Sequence, residues 1–232
     1  MKIALLGYGK MGKKIEELAK QAGHTIVYKK GSSLEEGSLN KADVAIEFSV
    51  PETAVANITR CFEEGIPVVS GTTGWLDHYK KINTICKNCN GSFIYASNFS
   101  VGVNLFFKLN EFAAKLLAPW DEYEVSMEEI HHIEKKDAPS GTAISLAEGI
   151  MEHSNKENWT LENPSEKEIE ITAKRIKDVK GTHTIMYDST IDCIRLTHEA
   201  HSRDGFAKGA ILAASWLQDK KGIYTMQDVL GI

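Results

Sequence analysis

The first dozen residues constrain the fold more than any other segment. Ile3-Ala4-Leu5-Leu6 is a short apolar run, Gly7-Tyr8-Gly9-Lys10-Met11-Gly12 follows at once, and Ile15, Leu18, Ala19 and Ala22 then recur at helical spacing. Gly23 ends that helix and Thr25-Ile26-Val27-Tyr28 supplies a second strand. A buried strand that turns on glycines directly into an amphipathic helix and then another strand reads as a βαβ unit. In this Gly-x-Gly-x-x-Gly spacing the first glycine permits a tight turn, the second lets the backbone approach a pyrophosphate, and the third allows close helix–strand packing. The helix start offers unpaired N–H groups and the positive end of its dipole. Gly7, Tyr8, Gly9, Lys10, Met11 and Gly12 are therefore a candidate dinucleotide site, with a purely structural turn as the alternative.

The alternation continues through strand 44–48, a helix opened by Pro51 and running to about 64, strand 67–70, helix 76–87 and strand 92–96. Strands separated by helices predict an α/β class with a parallel, doubly wound, Rossmann-type sheet. After Asn98 the pattern changes: a long helix over 102–118, a strand in which Tyr123, Val125 and Met127 alternate with polar residues, and a helix over 141–153. A polar, loop-like stretch (154–167) precedes strands 168–176, 182–188 and 191–198, and a last long helix covers 206–217. Consecutive strands without helices imply an antiparallel or mixed sheet, so the chain divides near residue 99 into a nucleotide-type domain and an α+β domain.

Composition narrows the partners. The formal charge is −5 with no Lys/Arg block, which argues against nucleic acid. No apolar run is long enough to span a bilayer, and residues 3–7 are too short for a signal peptide, so the cytoplasm and no membrane are expected. Of the four cysteines, Cys86 and Cys89 form a CxxC without a second pair, which reads as inert thiols.

Ligands of open α/β sheets bind beyond the carboxyl ends of the strands. After the second strand the chain reads Lys29-Lys30-Gly31-Ser32-Ser33, with no acid for ribose hydroxyls. Two lysines and two serines suit a 2′-phosphate, and hence NADPH over NADH; a solvated charged turn is the alternative. Glu47-Phe48-Ser49, Gly71-Thr72-Thr73-Gly74 and Ser97-Asn98-Phe99-Ser100 are the other loops at that edge, the second able to hydrogen-bond a nicotinamide ribose or to serve as a plain turn.

The segment from Glu129 to Ala143 is the most informative. His131 and His132 end a strand, and adjacent strand residues face opposite sides, so they do not share one task unless the strand bends. His131 and Lys135 would lie about 13 Å apart in extended chain, and meet one small substrate only if the chain turns between them. Pro139-Ser140-Gly141-Thr142 opens a helix whose amides and hydroxyls suit a carboxylate, with Lys135 as a nearby point charge and a histidine as proton donor. An exposed polar loop with incidental histidines is the bland alternative. A metal is not expected: His153, His183, His198 and His201 lie elsewhere, without local ligand spacing.

At this point the chain resembles the dihydrodipicolinate reductase (4-hydroxy-tetrahydrodipicolinate reductase) family. The matching pieces are Gly7–Gly12, Gly71–Gly74, Asn98–Asn104, His131-His132 through Lys135 to Asp137-Ala138-Pro139-Ser140-Gly141-Thr142-Ala143, Thr197-His198 through Ser202-Arg203, Phe206–Ala210 and Gly222–Leu230. The resemblance implies a dinucleotide-binding domain of residues 1–99 and 206–232, and a substrate-binding and oligomerisation domain of 100–205 in a homotetramer. It implies NAD(P)H-dependent reduction of a cyclic dicarboxylate imine on the lysine (diaminopimelate) route. His131 becomes the proton donor and Lys135 a second acid; His132, Ser140, Gly141 and Thr142 bind substrate; Gly7 to Gly12, Gly71, Thr72, Thr73, Ala96, Ser97, Asn98 and Phe99 contact cofactor. The chain departs from the family in Lys29-Lys30, where members often carry an acid, in Arg175-Ile176-Lys177, where they carry Arg-x-Gly, and in a short 31–43 region. Another Rossmann reductase, or a non-catalytic NADPH sensor, would share the glycine turn without needing His131, Lys135 and Ser140–Thr142 together.

Overall fold

The computed structural model describes residues 1–232, and the chain gathers into two units, Met1–Val101 with Asp204–Ile232, and Gly102–Arg203. The first unit opens with β1 (Lys2–Leu6), α1 (Lys10–Gln21), β2 (Thr25–Lys30), β3 (Glu35–Gly37), β4 (Val44–Glu47), α2 (Pro51–Glu63), β5 (Val68–Ser70), α3 (Tyr79–Asn88) and β6 (Ser92–Tyr95). Next come α4 (Val101–Leu117), β7 (Glu124–His131), α5 (Gly141–Met151), β8 (Asn158–Thr160), β9 (Glu168–Arg175), β10 (Thr182–Asp188) and β11 (Cys193–Glu199). The chain then re-enters the first unit as α6 (Asp204–Leu217), β12 (Gly222–Tyr224) and α7 (Met226–Leu230).

The first sheet runs β12-β6-β5-β4-β1-β2-β3, parallel throughout except for β2–β3. Both of its faces are covered, as the apolar runs require. Ile3, Leu5, Ile46, Val69 and Ile94 join Ile15 and Leu18 of α1 and four buried alanines of α6; Ala4, Leu6, Ala45, Val68 and Phe93 join residues of α2 and α3. Ile3, Leu5 and Leu6 are each at most 1% exposed. Burying each is worth about 2 kcal/mol. Because β1 pairs with both β2 and β4, the order of strands reverses there, which opens a crevice at the carboxyl ends.

The second sheet runs β11-β10-β7-β9-β8 and is mixed: β7 is antiparallel to β10 and parallel to β9. Val125, Met127, Ile171, Ile185 and Tyr187 face α4 and α5 through Phe106, Leu146 and Ile150. Successive residues of β7 alternate strictly in burial from Glu124 to His131, which sets His131 inward.

The short elements are those the sequence pattern did not announce. Region 31–43 holds β3 and a 3-10 turn at Leu39–Lys41; β3 is Glu-Glu-Gly, exposed throughout, and pairs Glu36 with Lys29 and Glu35 with Lys30. β8 lies inside the polar 154–167 stretch as an edge strand, and β12 extends the first sheet beside β6. All four cysteines are free; burial pushes the Cys61 thiol up to about 12 and that of Cys86 to about 11, as inert thiols require. No helix is long and apolar enough to cross a membrane.

Candidate functional site

The glycines of the first turn divide by what surrounds them. Gly7 has φ +101°, and a Cβ there would overlap the Phe48 carbonyl; a Cβ on Gly12 would overlap the carbonyl of Gly7. Both are required by the fold. A Cβ on Gly9 meets no protein atom within 4 Å. Gly9 caps α1 without a side-chain hydrogen bond, and no acid occupies the helix's first turn. Open backbone, an uncapped positive helix end and the strand-order reversal meet at a cavity of about 340 Å³, whose lining includes Gly7, Tyr8, Gly9, Lys30, Ser32 and Ser49. These residues fit a bound dinucleotide.

Lys29 and Lys30, expected to act together, are separated by strand alternation. Lys30 lines the cavity and its Nζ donates to Asn57 Oδ1 at 2.9 Å. Lys29 lies over the Tyr8 ring at 5.0 Å and pairs with Glu16 at 3.6 Å and Glu36 at 3.5 Å. The acids that neutralise it come from α1 and β3, beyond the local loop on which the expectation rested.

Glu47, at the end of β4, organises the neighbouring loops. It is fully buried and accepts from Ser49 N at 3.0 Å, Ser70 Oγ at 2.7 Å and Thr72 Oγ1 at 3.0 Å, and from the Ser49 hydroxyl. The Thr72 hydroxyl is thereby committed inside the protein, whereas Thr73 is exposed, and Gly71 leaves room for the Phe48 ring. Ala96 N donates to Ser70 O at 3.2 Å, Asn98 Oδ1 accepts from Ser100 N at 2.9 Å, and Ser97 is exposed. Phe99 is 1% exposed and packs on Phe48 with ring centroids 5.8 Å apart, so its side chain belongs to the core. Lys10 is exposed and Met11 packs partly against the core.

In the second unit, register assembles a buried polar cluster. Glu129 lies opposite His183 across β7–β10, and His131 lies opposite Arg175 across β7–β9. Glu129 and His131 share the inner face two residues apart. Glu129 is fully buried; Oε2 accepts from Ser140 N at 3.0 Å and Oε1 from an Arg175 Nη at 3.2 Å. His131 Nδ1 stands 3.5 Å from Glu129 Oε2, and the His131 and His183 rings meet edge to face at 5.0 Å. Burial is the largest influence on His131 and holds it below the ordinary histidine value; Lys135 and Arg175 act in the same direction, while Glu129 and Asp137 oppose it.

Ser140 caps α5. Its Oγ accepts from Ala143 N at 3.2 Å and shares a hydrogen bond with His183 Nε2 at 3.2 Å. Ser140 is thus built into the wall, while Gly141 is exposed and Thr142 half-buried at the helix start. His132 turns away from His131, contacting Glu134 at 2.8 Å and Arg203 at 3.0 Å. Lys135 binds both oxygens of Asp137, at 2.9 and 2.7 Å. Arg175 reaches the carbonyls of Lys135 (3.3 Å) and Asp137 (2.6 Å), which pins the 135–137 turn beside the cluster. The Arg175-Ile176-Lys177 departure therefore keeps its arginine in use. Ligand atoms of Glu129, His131 and His183 lie within 4.8 Å of one another. The Ser140 amide and the Arg175 guanidinium already engage the carboxylate, and that cation opposes the approach of another.

Burial pushes His183 down to about 4. The unfolded chain protonates its histidine near 6.5, so between that value and about 4 the unfolded state binds more protons and stability falls as pH falls. The expected loss is on the order of 3 kcal/mol by pH 4. Thermal melts from pH 7.5 to 4 check it: a His183→Gln variant should show a shallower decline, and an equally steep one would assign the loss to other groups.

A doubly wound sheet with an uncapped glycine turn at its reversal point defines a Rossmann-type dinucleotide-binding protein. A dihydrodipicolinate reductase from Paenisporosarcina sp. TG-14, solved with dipicolinate bound, matches the fold with a TM-score of 0.79 at 22% identity, over 98% of each chain. A probable dehydrogenase from Thermotoga maritima matches at 0.66 and 10% identity, over 99% of this chain and 92% of its own. Models of the N- and C-terminal parts of dihydrodipicolinate reductase match residues 29–99 and 102–230. The 4-hydroxy-tetrahydrodipicolinate reductase of Christiangramia forsetii is 55% identical over 233 aligned residues, spanning 99% of this chain and 98% of its own. That of Archaeoglobus fulgidus is 40% identical, spanning 93% and 87%. The chain belongs to the dihydrodipicolinate reductase family and is an oxidoreductase.

Proposed function

We propose that the protein is a 4-hydroxy-tetrahydrodipicolinate reductase that reduces a cyclic imine bearing two carboxylates to tetrahydrodipicolinate, in the cytoplasm, as a step of lysine (diaminopimelate) biosynthesis. The observation that carries this reading is the 55% identity to the Christiangramia forsetii reductase over nearly the whole of both chains. Residues 1–99 and 206–232 form the dinucleotide domain, and 100–205 bind substrate and build the oligomer.

The bound dinucleotide supplies the hydride. Gly7 to Gly12 would hold its pyrophosphate at the start of α1, and Gly71 to Thr73 with Ala96 to Phe99 would contact the rest of it. A substrate carboxylate sits at the start of α5 on Gly141 and Thr142, with Ser140 fixing that turn and His132 beside it. Loss of water from the hydroxylated ring leaves a conjugated imine. As hydride reaches its ring carbon, negative charge builds, which Lys135 and the helix amides stabilise. His131 delivers the proton to the neighbouring carbon, with Lys135 as a second acid. The test is loss of NADPH absorbance with freshly generated substrate; NADPH binding without substrate-dependent oxidation would sink the assignment.

NADPH is the preferred cofactor and NADH a usable one; that Lys30 and Ser32 line the cavity while Lys29 is paired with Glu16 and Glu36 supports Lys30 as the lysine that meets a 2′-phosphate. Lys30→Ala should raise the KM for NADPH about tenfold, the value of one charge-assisted contact, and leave that for NADH within about twofold. Equal effects on both cofactors would remove Lys30 from the phosphate site.

A homotetramer fits the surface of α4. Leu105, Leu109, Phe112 and Leu116 recur at helical spacing and are 43%, 57%, 66% and 62% exposed. Light scattering should give four times the chain mass of 25.7 kDa, and a monomer at micromolar concentration would refute the assembly.

A further inference from the structure

Glu129 is fully buried beside His131, and its carboxylate also meets the start of α5 and Arg175. One carboxylate oxygen takes the amide of Ser140, the residue that caps α5, and stands 3.5 Å from the Nδ1 of His131. The other takes the guanidinium of Arg175, which also holds the 135–137 turn. We propose that Glu129 is the positioning residue of this site: its carboxylate orients the His131 ring and, through Ser140 and Arg175, fixes the start of α5 and the Lys135 turn around it. The proposal rests on the reading of His131 as proton donor.

Two further observations support it. His131 Nδ1 is buried and has no hydrogen-bond partner, so the carboxylate 3.5 Å away is the group on which that nitrogen can close. Catalytic hydrogen bonds are often long without ligand and tighten when the site fills. Gly181 stands beside the opposite nitrogen: a Cβ there would lie 3.3 Å from His131 Nε2, so the glycine spares the face at which a proton would leave. A carboxylate on Nδ1 fixes the tautomer and leaves Nε2 to give up its proton, the arrangement known from other carboxylate–histidine pairs. Burial alone would push Glu129 up, but the Ser140 hydrogen bonds, His131 and Arg175 outweigh it and hold the carboxylate below its ordinary range, so it is an anion at neutral pH.

The charged groups facing His131 set the sign of the test. Lys135 and Arg175 disfavour its protonated form, His183 packs on its ring, and Glu129 and Asp137 favour protonation. Removing the Glu129 charge therefore makes His131 harder to protonate.

The test uses the full-length protein with histidine labelled in ¹³C and ¹⁵N, the His131 signals being assigned by difference with His131→Gln. In wild type, neutral His131 should carry its proton on Nδ1; a proton on Nε2 overturns the proposal without any variant. In Glu129→Gln the His131 midpoint should fall by about one pH unit, and the alkaline limb of kcat should move with it. In that variant kcat should drop about 10- to 100-fold, with NADPH affinity unchanged. Glu129→Asp should restore the midpoint toward wild type while kcat stays low, because charge returns but reach is lost. A wild-type midpoint and kcat in Glu129→Gln would overturn the proposal. Because the NMR readouts need no substrate, a failed reductase assay with the expected tautomer would count against the function and leave the positioning role standing.

Discussion

His131→Gln should lower kcat about 100- to 10,000-fold, the range for loss of a positioned general acid, with little change in NADPH affinity. Glutamine keeps polarity and approximate volume but has no proton to deliver at neutral pH. His131 is 9% exposed and anchored at the end of β7, so the variant removes chemistry with little disturbance of the sheet. The pH dependence follows from the same surroundings. Burial holds His131 below the ordinary histidine value, so the protonated form is lost early as pH rises, and kcat/KM should decline on the alkaline side from a midpoint below about 6.5. Lys135→Ala should act differently. As a second acid and a charge facing the dicarboxylate, Lys135 should on loss lower kcat strongly, though less than His131→Gln, and also raise the KM for the dicarboxylate. If Lys135→Ala instead reproduced the full kcat loss of His131→Gln with KM unchanged, the two acids would have to exchange roles. Initial-rate kinetics across pH 5.5 to 9 with both variants decide this.

Much of that geometry is legible in the sequence. Alternation along β7 separates His131 from His132, and the structure does send one to the buried cluster and the other to Glu134 and Arg203. The same two-residue period puts Glu129 beside His131 and pulls Lys29 away from Lys30, so both placements are legible in the residues. What local pattern could not supply is register. That His183 falls opposite Glu129, and Arg175 opposite His131, depends on how three strands distant in sequence align. Glu47 escaped for a related reason: its partners Ser70 and Thr72 arrive from the neighbouring strand β5 and the loop after it. Elements of three residues, such as β3, β8 and β12, are too short to show a period, and their pairing is set by what they meet.

The glycine turn offers the second large effect, because its residues answer to different masters. Gly12→Val places a side chain where a Cβ already overlaps the Gly7 carbonyl, so α1 must move off β1. Ile15, Leu18 and Ala19 lose their packing with it, and a loss of about 3 kcal/mol or more is expected, together with cofactor binding. Gly9→Val meets no protein atom within 4 Å of its Cβ and Gly9 has ordinary negative φ, so the fold tolerates it. What it obstructs is the space over the uncapped start of α1, where a pyrophosphate would approach the backbone. Gly9→Val should therefore hold the melting temperature within about 3 °C of wild type while the Kd for NADPH rises at least about 100-fold, the loss of two or three backbone-to-phosphate contacts. Calorimetric melting and fluorescence titration with NADPH, run on both variants, separate the two causes. Equal destabilisation would make Gly9 a structural turn residue like Gly12; full stability with unimpaired NADPH binding would move the pyrophosphate away from this turn.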